Sequence, residues 1–308
     1  MLHQKTADLR GPALLEALES HPGRVHAQLN LDGCNLTHWP DDLQQFTDTH
    51  LLSVYDNALS DLPDWLWNFR HLTTLNLSAN RISVIPAGLG RLQALRMLDL
   101  GHNQLETLPD VFTSLPALEF LYLSNNRLST LPDSVRSLKA LRYLNVTDND
   151  FQTLPGWVGE LDSLTEFRAY NNQISALPDE IGSLSRLREV YVMKNRLTTL
   201  PAALGSCTRL EKLMLQGNQL STLPDELGLL SALTELDLRF NRLEIIPESL
   251  ASLPRLRFLD LRANAVSTLP EALAYLPSLE KLDLRWNRLT TLPAAFGHLK
   301  ERGCLIYT

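Results

Sequence analysis

An asparagine recurs every 23 residues along most of this 308-residue chain, without an insertion or a deletion. The series runs from Asn57 to Asn287, and Cys34 stands one period before its first member. A proline follows each of these positions by six residues. A fixed period of this kind indicates a repeat architecture in which each unit packs on the next. The register therefore predicts twelve repeats over residues 28–300, with no unrelated domain between them.

Around each asparagine the chain follows the pattern LxxLxLxxNxLxxLPxxLxxL, as in LTELDLRFNRLEIIPESLASL. Leucines that alternate with polar residues are typical of a short strand with one buried face. The asparagine amide carries donors and acceptors that can bridge the backbone of neighbouring turns. We therefore interpret the leucines as core, the asparagine column as structural and Cys34, at the first position of that column, as a core residue.

This pattern resembles the leucine-rich repeat (LRR) family over roughly residues 25 to 300. The resemblance implies an α/β fold, a right-handed horseshoe-shaped solenoid with a parallel inner sheet and short helical or 3-10 turns outside. The 23-residue form with LP is similar to intracellular LRR proteins. These include Ras-group signalling scaffolds, the repeat regions of Roco GTPases and bacterial effectors delivered into host cells.

Both ends of the array are predicted to be capped. Residues 1–27 are interpreted as an N-terminal capping segment with a helix in ADLRGPALLEALES, and residues 301–308 as a C-terminal edge strand. In that strand we expect Leu305 and Tyr307 to be in register with the strand leucines of the repeats. The leucines expected to cover the first turn are Leu14, Leu15 and Leu18.

Composition narrows the class of partner and the compartment. A net charge of -7 argues against nucleic acid and against a membrane surface, because both attract basic proteins. No apolar run reaches the length of a spanning helix. Three cysteines far apart in sequence are not a disulfide framework. We expect a cytoplasmic location or, if the protein is an effector, secretion into a host cell cytosol.

The sequence lacks recognisable catalytic motifs. It contains no GxxxxGK[ST], HExxH, GxSxG or paired CxxC sequence, and its eight histidines are scattered. Cys207 occupies a core leucine position, where burial disfavours a reactive thiolate. We therefore predict no enzyme activity and no catalytic, cofactor or metal site. The alternative is that the chain is the substrate-recognition part of a ubiquitin ligase, kinase or GTPase whose catalytic part lies elsewhere.

The residues that point out of the inner sheet form a first candidate group of aromatic and methionine side chains. Cross-strand packing would explain such a row, but aromatic and methionine side chains on an open surface are also typical of an interface centre. We favour binding, because exposed apolar patches usually have a function. The members are Phe120, Tyr122, Tyr143, Tyr170, Tyr191, Met193 and Met214.

A second group lies in three successive hexapeptides, LDLRFN, LDLRAN and LDLRWN. Their aspartates and arginines form neighbouring columns, which either neutralise each other as an ion-pair grid or bind a partner. In this interpretation the repeat itself requires no charge at these positions. The candidate binding residues are Arg239, Phe258, Arg262, Arg285 and Trp286.

Together these features predict a non-enzymatic module that binds another protein on its concave face. The resemblance favours a bacterial signalling scaffold or a host-directed effector. We expect no nucleic-acid, membrane or small-molecule ligand, and a monomer or a weak dimer.

Overall fold

The computed structural model describes residues 11, 12, 14, 16 and 27–308. The chain forms two compact units, residues 1–149 and 150–308. Each unit is an LRR solenoid with a parallel sheet on one side and short 3-10 turns on the other, which confirms the predicted fold class.

The sheet of the first unit contains one three-residue strand from each repeat. Consecutive strands pair in parallel and in register, so that residues 23 apart lie side by side. The middle residue of each strand is buried. The strands are β1 (Gln28–Asn30), β2 (Leu51–Ser53), β3 (Thr74–Asn76), β4 (Met97–Asp99), β5 (Phe120–Tyr122) and β6 (Tyr143–Asn145).

The second unit repeats this arrangement. Its paired strands have the same 23-residue register up to the last repeat. The strands are β7 (Glu166–Arg168), β8 (Glu189–Tyr191), β9 (Lys212–Met214), β10 (Glu235–Asp237), β11 (Phe258–Asp260), β12 (Lys281–Asp283) and β13 (Leu305–Tyr307).

Short 3-10 turns form the side opposite each sheet. Most of them begin directly after the recurring proline, whose extended backbone ends the incoming segment. In the first unit they are Asp41–Gln45, Asp64–Asn68, Ala87–Arg91, Phe112–Ser114 and Asp133–Ser137. In the second they are Gly156–Glu160, Asp179–Ser183, Ala202–Ser206, Asp225–Leu229, Glu248–Ser252, Glu271–Tyr275 and Ala294–Phe296, followed by an α-helix at Gly297–Glu301.

The asparagine column is structural, as predicted. Asn241 Nδ2 donates to the carbonyl of Leu215 in the preceding repeat at 3.1 Å and to that of Leu238 at 2.9 Å, while its Oδ1 accepts from the backbone N–H of Leu220 at 3.0 Å. Equivalent bonds form at the other asparagines of both units. One side chain therefore bonds to backbone groups of two repeats, and it gives the N–H of Leu220 a partner that this buried group would otherwise lack.

The predicted N-terminal helix lies largely outside the described residues, and Leu15 and Leu18 are among those outside. Leu14 is buried and has helical backbone. The backbone N–H of Gly11 donates to the carbonyl of Asn30 at 2.8 Å, so this segment contacts the end of β1.

At the other end, the predicted register of the last strand is wrong by one residue. Ile306, not Leu305 or Tyr307, pairs with the strand leucine Leu282 of β12. The α-helix Gly297–Glu301 replaces the usual path between strands, and the spacing becomes 24 residues. Leu305 and Tyr307 consequently point to the solvent side.

The tryptophans of the outer turns differ in burial. Trp67 is buried, and Trp65 is half-buried and packs edge to face with Trp39, with ring centroids 5.6 Å apart. Within the described part of the chain, no helix has the length and apolar character needed to cross a membrane.

Candidate protein-binding surface

The first and third residues of each strand, with the residues that follow, form the surface we call the open face. Since side chains alternate along a strand, these residues point away from the core formed by the middle residue. Their half-buried character agrees with this geometry. The open face of each unit therefore presents the side chains that the sequence leaves variable.

In the first unit, three members of the predicted aromatic group come together. Phe120 pairs with Tyr143 across β5 and β6. The rings of Tyr122 and Tyr143 have centroids 4.7 Å apart and an interplanar angle of 35°. These aromatic side chains already pack on each other, which is the cross-strand contribution that stabilises a sheet.

In the second unit, Tyr191 is held in a network of charged neighbours. Its hydroxyl donates to Glu189 Oε2 at 2.6 Å, and Arg168 lies 4.6 Å from its ring centroid. Burial and the bond to Glu189 raise the pKa of Tyr191 well above its ordinary value. Burial alone would raise the pKa of Glu189, but bonds from Tyr191 and Lys212 hold it below its usual range. The Tyr191 hydroxyl is therefore already engaged.

The rest of the predicted aromatic group in this unit is half-buried on the same face, namely Tyr170, Met193 and Met214. That these residues form a single patch with the aromatic residues of the first unit stays a prediction.

The aspartates and arginines of the three hexapeptides form a set that we call the charge grid. Asp237, Asp260 and Asp283 are direct neighbours on adjacent strands. Each pairs with the arginine two residues further on, because both side chains lie on the same face of the strand. The arginines of the grid are Arg239, Arg262 and Arg285.

Within the charge grid, the aspartate with the best hydrogen bonds is the last one, Asp283. Asp283 is completely buried and accepts from Arg285 Nε and Nη2 at 2.9 and 2.7 Å. Arg262 Nε lies 3.4 Å from the same carboxylate. Burial would raise the pKa of Asp283, but these bonds and charges hold it below its ordinary value. With Asp260, which also pairs with Arg262, the two carboxylates and the two guanidinium groups neutralise each other.

At the first member the pairing is poorer. Arg239 Nε lies 3.0 Å from Asp237 Oδ2, but it is not aligned for a hydrogen bond and has no other partner in the described residues. Burial raises the pKa of Asp237 despite the nearby arginine. The carboxylate of Asp237 is therefore less well stabilised in its charged form than that of Asp283.

The aspartates also serve the backbone, which sequence reasoning missed. Asp260 Oδ1 accepts from the N–H of Arg262 at 3.1 Å, and Asp237 and Asp283 accept in the same way. Asn76 and Asn145 make the equivalent bond at the same repeat position. The repeat therefore uses an acceptor at this position, which either Asn or Asp supplies, and the bond requires no charge there. The recurrence of Asn or Asp four residues before the repeat asparagine was the available signal.

A pocket of about 210 Å³ opens beside the charge grid, over the backbone of β10 and β11. Met214 and Phe258 supply its apolar walls, and Glu235 and Lys281 stand on either side of Phe258. Phe258 is thus placed with Met214, although the sequence assigned them to different groups. Trp286 does not line the pocket. Its side chain is 66% exposed, and the guanidinium group of Arg285 lies 5.8 Å from its ring centroid.

The cysteines have the environment of structural residues. Burial raises the pKa of Cys207 to about 11 and raises that of Cys304. Cys34 is half-exposed rather than in the core, and its Sγ lies 3.8 Å from the Asp32 carbonyl oxygen. No cluster of three or more metal-binding side chains forms among the residues that the structure describes.

Comparisons with known proteins agree with this architecture. Leucine-rich repeat family models match residues 70–128, 231–274 and 278–299, and a model described as a leucine-rich repeat region matches 131–252. An LRR protein from Leptospira interrogans is 32% identical, with a TM-score of 0.86 over 91% of this chain and 72% of its own. The chain therefore belongs to the leucine-rich repeat family.

Two further solved structures show the range of this fold. The LRR ectodomain of the Arabidopsis thaliana receptor kinase GASSHO1/SCHENGEN3, solved in complex with CASPARIAN STRIP INTEGRITY FACTOR 2, is 30% identical. It matches with a TM-score of 0.72 over 92% of this chain and 38% of its own. An internalin from Listeria monocytogenes shares the fold at 22% identity, with a TM-score of 0.76 over 95% of this chain and 88% of its own. No curated protein sequence matches the chain.

Proposed function

We propose that this LRR protein is a non-enzymatic module that binds another protein on the open face of β9–β12. The observation that carries the proposal is the pocket between Met214 and Phe258. Elsewhere in the charge grid the outward groups neutralise each other, whereas this pocket offers apolar walls to the solvent. Apolar hollows with a few polar groups are the places where a partner's side chain can be anchored.

Two of the charged residues that line this pocket, Glu235 and Lys281, are also available, whereas Asp237 and Asp260 are paired with their arginines. Within the described residues, neither Glu235 nor Lys281 has an ion-pair partner, in contrast to Lys212, which lies 3.1 Å from Glu189. The Nζ of Lys281 lies 5.4 Å from the ring centroid of Tyr307. An apolar centre with unpaired charges at its edge is the usual anatomy of a protein interface.

The family supports binding as the general role, since extended repeat surfaces are used to hold partners. The GASSHO1/SCHENGEN3 ectodomain, which shares 30% identity, was solved with a bound factor. A role as a bacterial signalling scaffold or host-directed effector, and a cytoplasmic location, stay predictions.

Site-specific photo-crosslinking tests the proposal. A photoreactive phenylalanine analogue at Phe258 should capture a partner protein that the same analogue at Tyr275 does not capture. Tyr275 is a matched control because it is 62% exposed and lies on an outer turn of the same unit. A Met214→Ala/Phe258→Ala variant should lose the partner while it keeps its unfolding midpoint within a few degrees. Capture from Tyr275 alone, or equal capture from both positions, would contradict binding on the open face.

A further inference from the structure

The residue just before each repeat asparagine adopts a left-handed backbone. In most repeats this position holds a residue that tolerates such a conformation, such as Asn125, Asp148 or Gly217. Two repeats of the second unit place an aromatic residue there, Phe240 at φ 55° and Trp286 at φ 60°. Bulky side chains are strongly disfavoured there.

These two aromatic side chains are also exposed. Phe240 is 54% and Trp286 66% accessible to solvent, so neither ring repays its backbone strain by core packing. Positions that break local rules without a structural gain concentrate at functional sites. The strain and the exposure together indicate that both rings serve a surface contact.

The repeat between them is built differently. It has Ala263 at the same position and Ala265 two residues further on, both half-exposed. The backbone N–H of Phe240 donates to Arg262 O at 2.9 Å, and that of Ala263 donates to Arg285 O at 3.0 Å, so the three loops stack in register. Two strand spacings separate the outer loops, roughly 10 Å. The two alanines thus form the floor of a notch whose walls carry Phe240 and Trp286.

An arginine follows each wall residue by two positions. Arg242 and Arg288 are exposed, and neither has an ion-pair partner among the residues that the structure describes. Glu244, the nearest acid along the chain from Arg242, makes no such pair with it. This differs from the arginines of the charge grid, which their own aspartates occupy. The notch is therefore apolar at its floor and positively charged along both edges.

We propose that this notch binds an acidic segment of a partner protein, with one apolar side chain placed over Ala263 between Phe240 and Trp286. The carboxylates of the segment pair with Arg242 and Arg288. This inference rests on the proposed function and specifies the chemistry of its partner. Charge complementarity selects the acidic segment, and the rings supply the anchors that aromatic side chains provide in interfaces.

Fluorescence anisotropy with labelled heptapeptides tests the chemistry on the full chain. EDEFEDE should bind with a Kd below about 1 mM and at least about tenfold more tightly than EDEGEDE, which lacks the apolar side chain, or KRKFKRK, which has the opposite charge. Raising sodium chloride from about 50 to about 300 mM should weaken EDEFEDE binding, because salt screens exposed charges. Absence of binding up to about 1 mM, or equal binding of KRKFKRK, would overturn the proposal.

Matched variants place the binding in the notch. Arg242→Glu/Arg288→Glu and Phe240→Gly/Trp286→Gly should each weaken EDEFEDE binding about tenfold or more. Glycine is compatible with the left-handed backbone, so the second variant should fold. The control Arg81→Glu/Arg127→Glu makes the same charge change at the same repeat position in the first unit and should bind as the wild type does. Equal weakening in this control would show that net charge, not the notch, attracts the peptide.

The proposed function and this inference can fail separately. A partner captured from Phe258 that still binds the Phe240→Gly/Trp286→Gly variant would leave the open-face function intact and reject the notch. A partner lost from both that variant and the Met214→Ala/Phe258→Ala variant would support both.

Discussion

The carboxylate of Asp283 accepts two hydrogen bonds from the guanidinium group of Arg285, at 2.9 and 2.7 Å. Asp283 is completely buried, although it lies on the open face of the sheet. The pair of Asp237 and Arg239, two strands away, has the same sequence spacing, but Arg239 Nε is not aligned with the carboxylate. Two identical motifs therefore differ in how well the charge of the aspartate is stabilised.

Replacing Asp283 and Asp237 with asparagine should separate their contributions to stability. Asparagine keeps the acceptor for the backbone N–H, as Asn145 shows at the same repeat position. Asp283→Asn should lower the free energy of unfolding by about 1.5 to 3 kcal/mol, because it removes charge-assisted bonds. Asp237→Asn should change it by less than about 0.5 kcal/mol. Urea unfolding followed by circular dichroism measures both, and equal losses would contradict the difference in pairing.

As the pH changes, the free energies of unfolding of the same two variants should shift in opposite directions relative to the wild type. The pKa of Asp283 is lowered in the folded state, so its stabilisation is present above the unfolded pKa of about 4 and is lost as the pH falls through the folded value. The pKa of Asp237 is raised, so its charge destabilises the fold at neutral pH and this penalty disappears as the pH falls toward about 4.

Unfolding midpoints between about pH 3 and 7 check this expectation. The difference between wild type and Asp283→Asn should shrink at acid pH, and Asp237→Asn should gain on the wild type only toward neutral pH. Asp179→Asn, on an exposed outer turn, makes the same charge change and serves as the control. Parallel pH profiles for the three variants would reject the assignment.

The repeat asparagine should be costly to remove. Asn241→Ala would leave the buried N–H of Leu220 without its partner and would remove one of the two amide donors from each of the carbonyls of Leu215 and Leu238, at a cost of about 2 kcal/mol or more. Cys34→Ala, at the equivalent position of the first repeat, should cost less than about 1 kcal/mol, because its thiol makes only a long contact. Chemical denaturation of both variants measures the contrast, and similar losses would disprove a bridging role for the amide.

The left-handed aromatic residues should reduce stability in the free protein. Trp286→Gly and Phe240→Gly relieve about 1 to 2 kcal/mol of backbone strain each, against about 0.5 to 1 kcal/mol of added unfolded-state entropy. Each should therefore be as stable as the wild type or more stable by up to about 1 kcal/mol. The reverse change, Gly217→Phe at φ 70°, should destabilise. A loss above about 1 kcal/mol in either glycine variant would show that its ring stabilises the fold.

In the second unit, adjacent outer turns pack too closely for a side chain at the repeat position that Gly182 occupies. A Cβ at Gly182 would lie 2.3 Å from the carbonyl oxygen of Ala203, so Gly182→Ala should lower the free energy of unfolding by about 1 to 3 kcal/mol. Gly297, in the α-helix with nothing within 4 Å of such a Cβ, is the matched control. Gly297→Ala should be stabilising, since alanine is the better helix former. Thermal unfolding of the two variants measures this, and a harmless Gly182→Ala would mean that the turns can separate.

The sequence by itself determined the repeat, the parallel strands and the role of the asparagines. These follow from local chemistry repeated in register, because every repeat must bury the same leucines and satisfy the same backbone groups. It also predicted that Phe258 points away from the core, since side-chain alternation along a strand is a local property.

Only the tertiary structure decided the final register and the state of the charges. The helix before β13 shifts Ile306 into the leucine position, and nothing in the periodic pattern signals that extra residue. Burial and alignment make Asp283 and Asp237 different although their sequence contexts match, because ionisation depends on solvent and on partners from other repeats. The strain at Trp286 likewise follows from a backbone conformation that the loop imposes on whichever residue stands there.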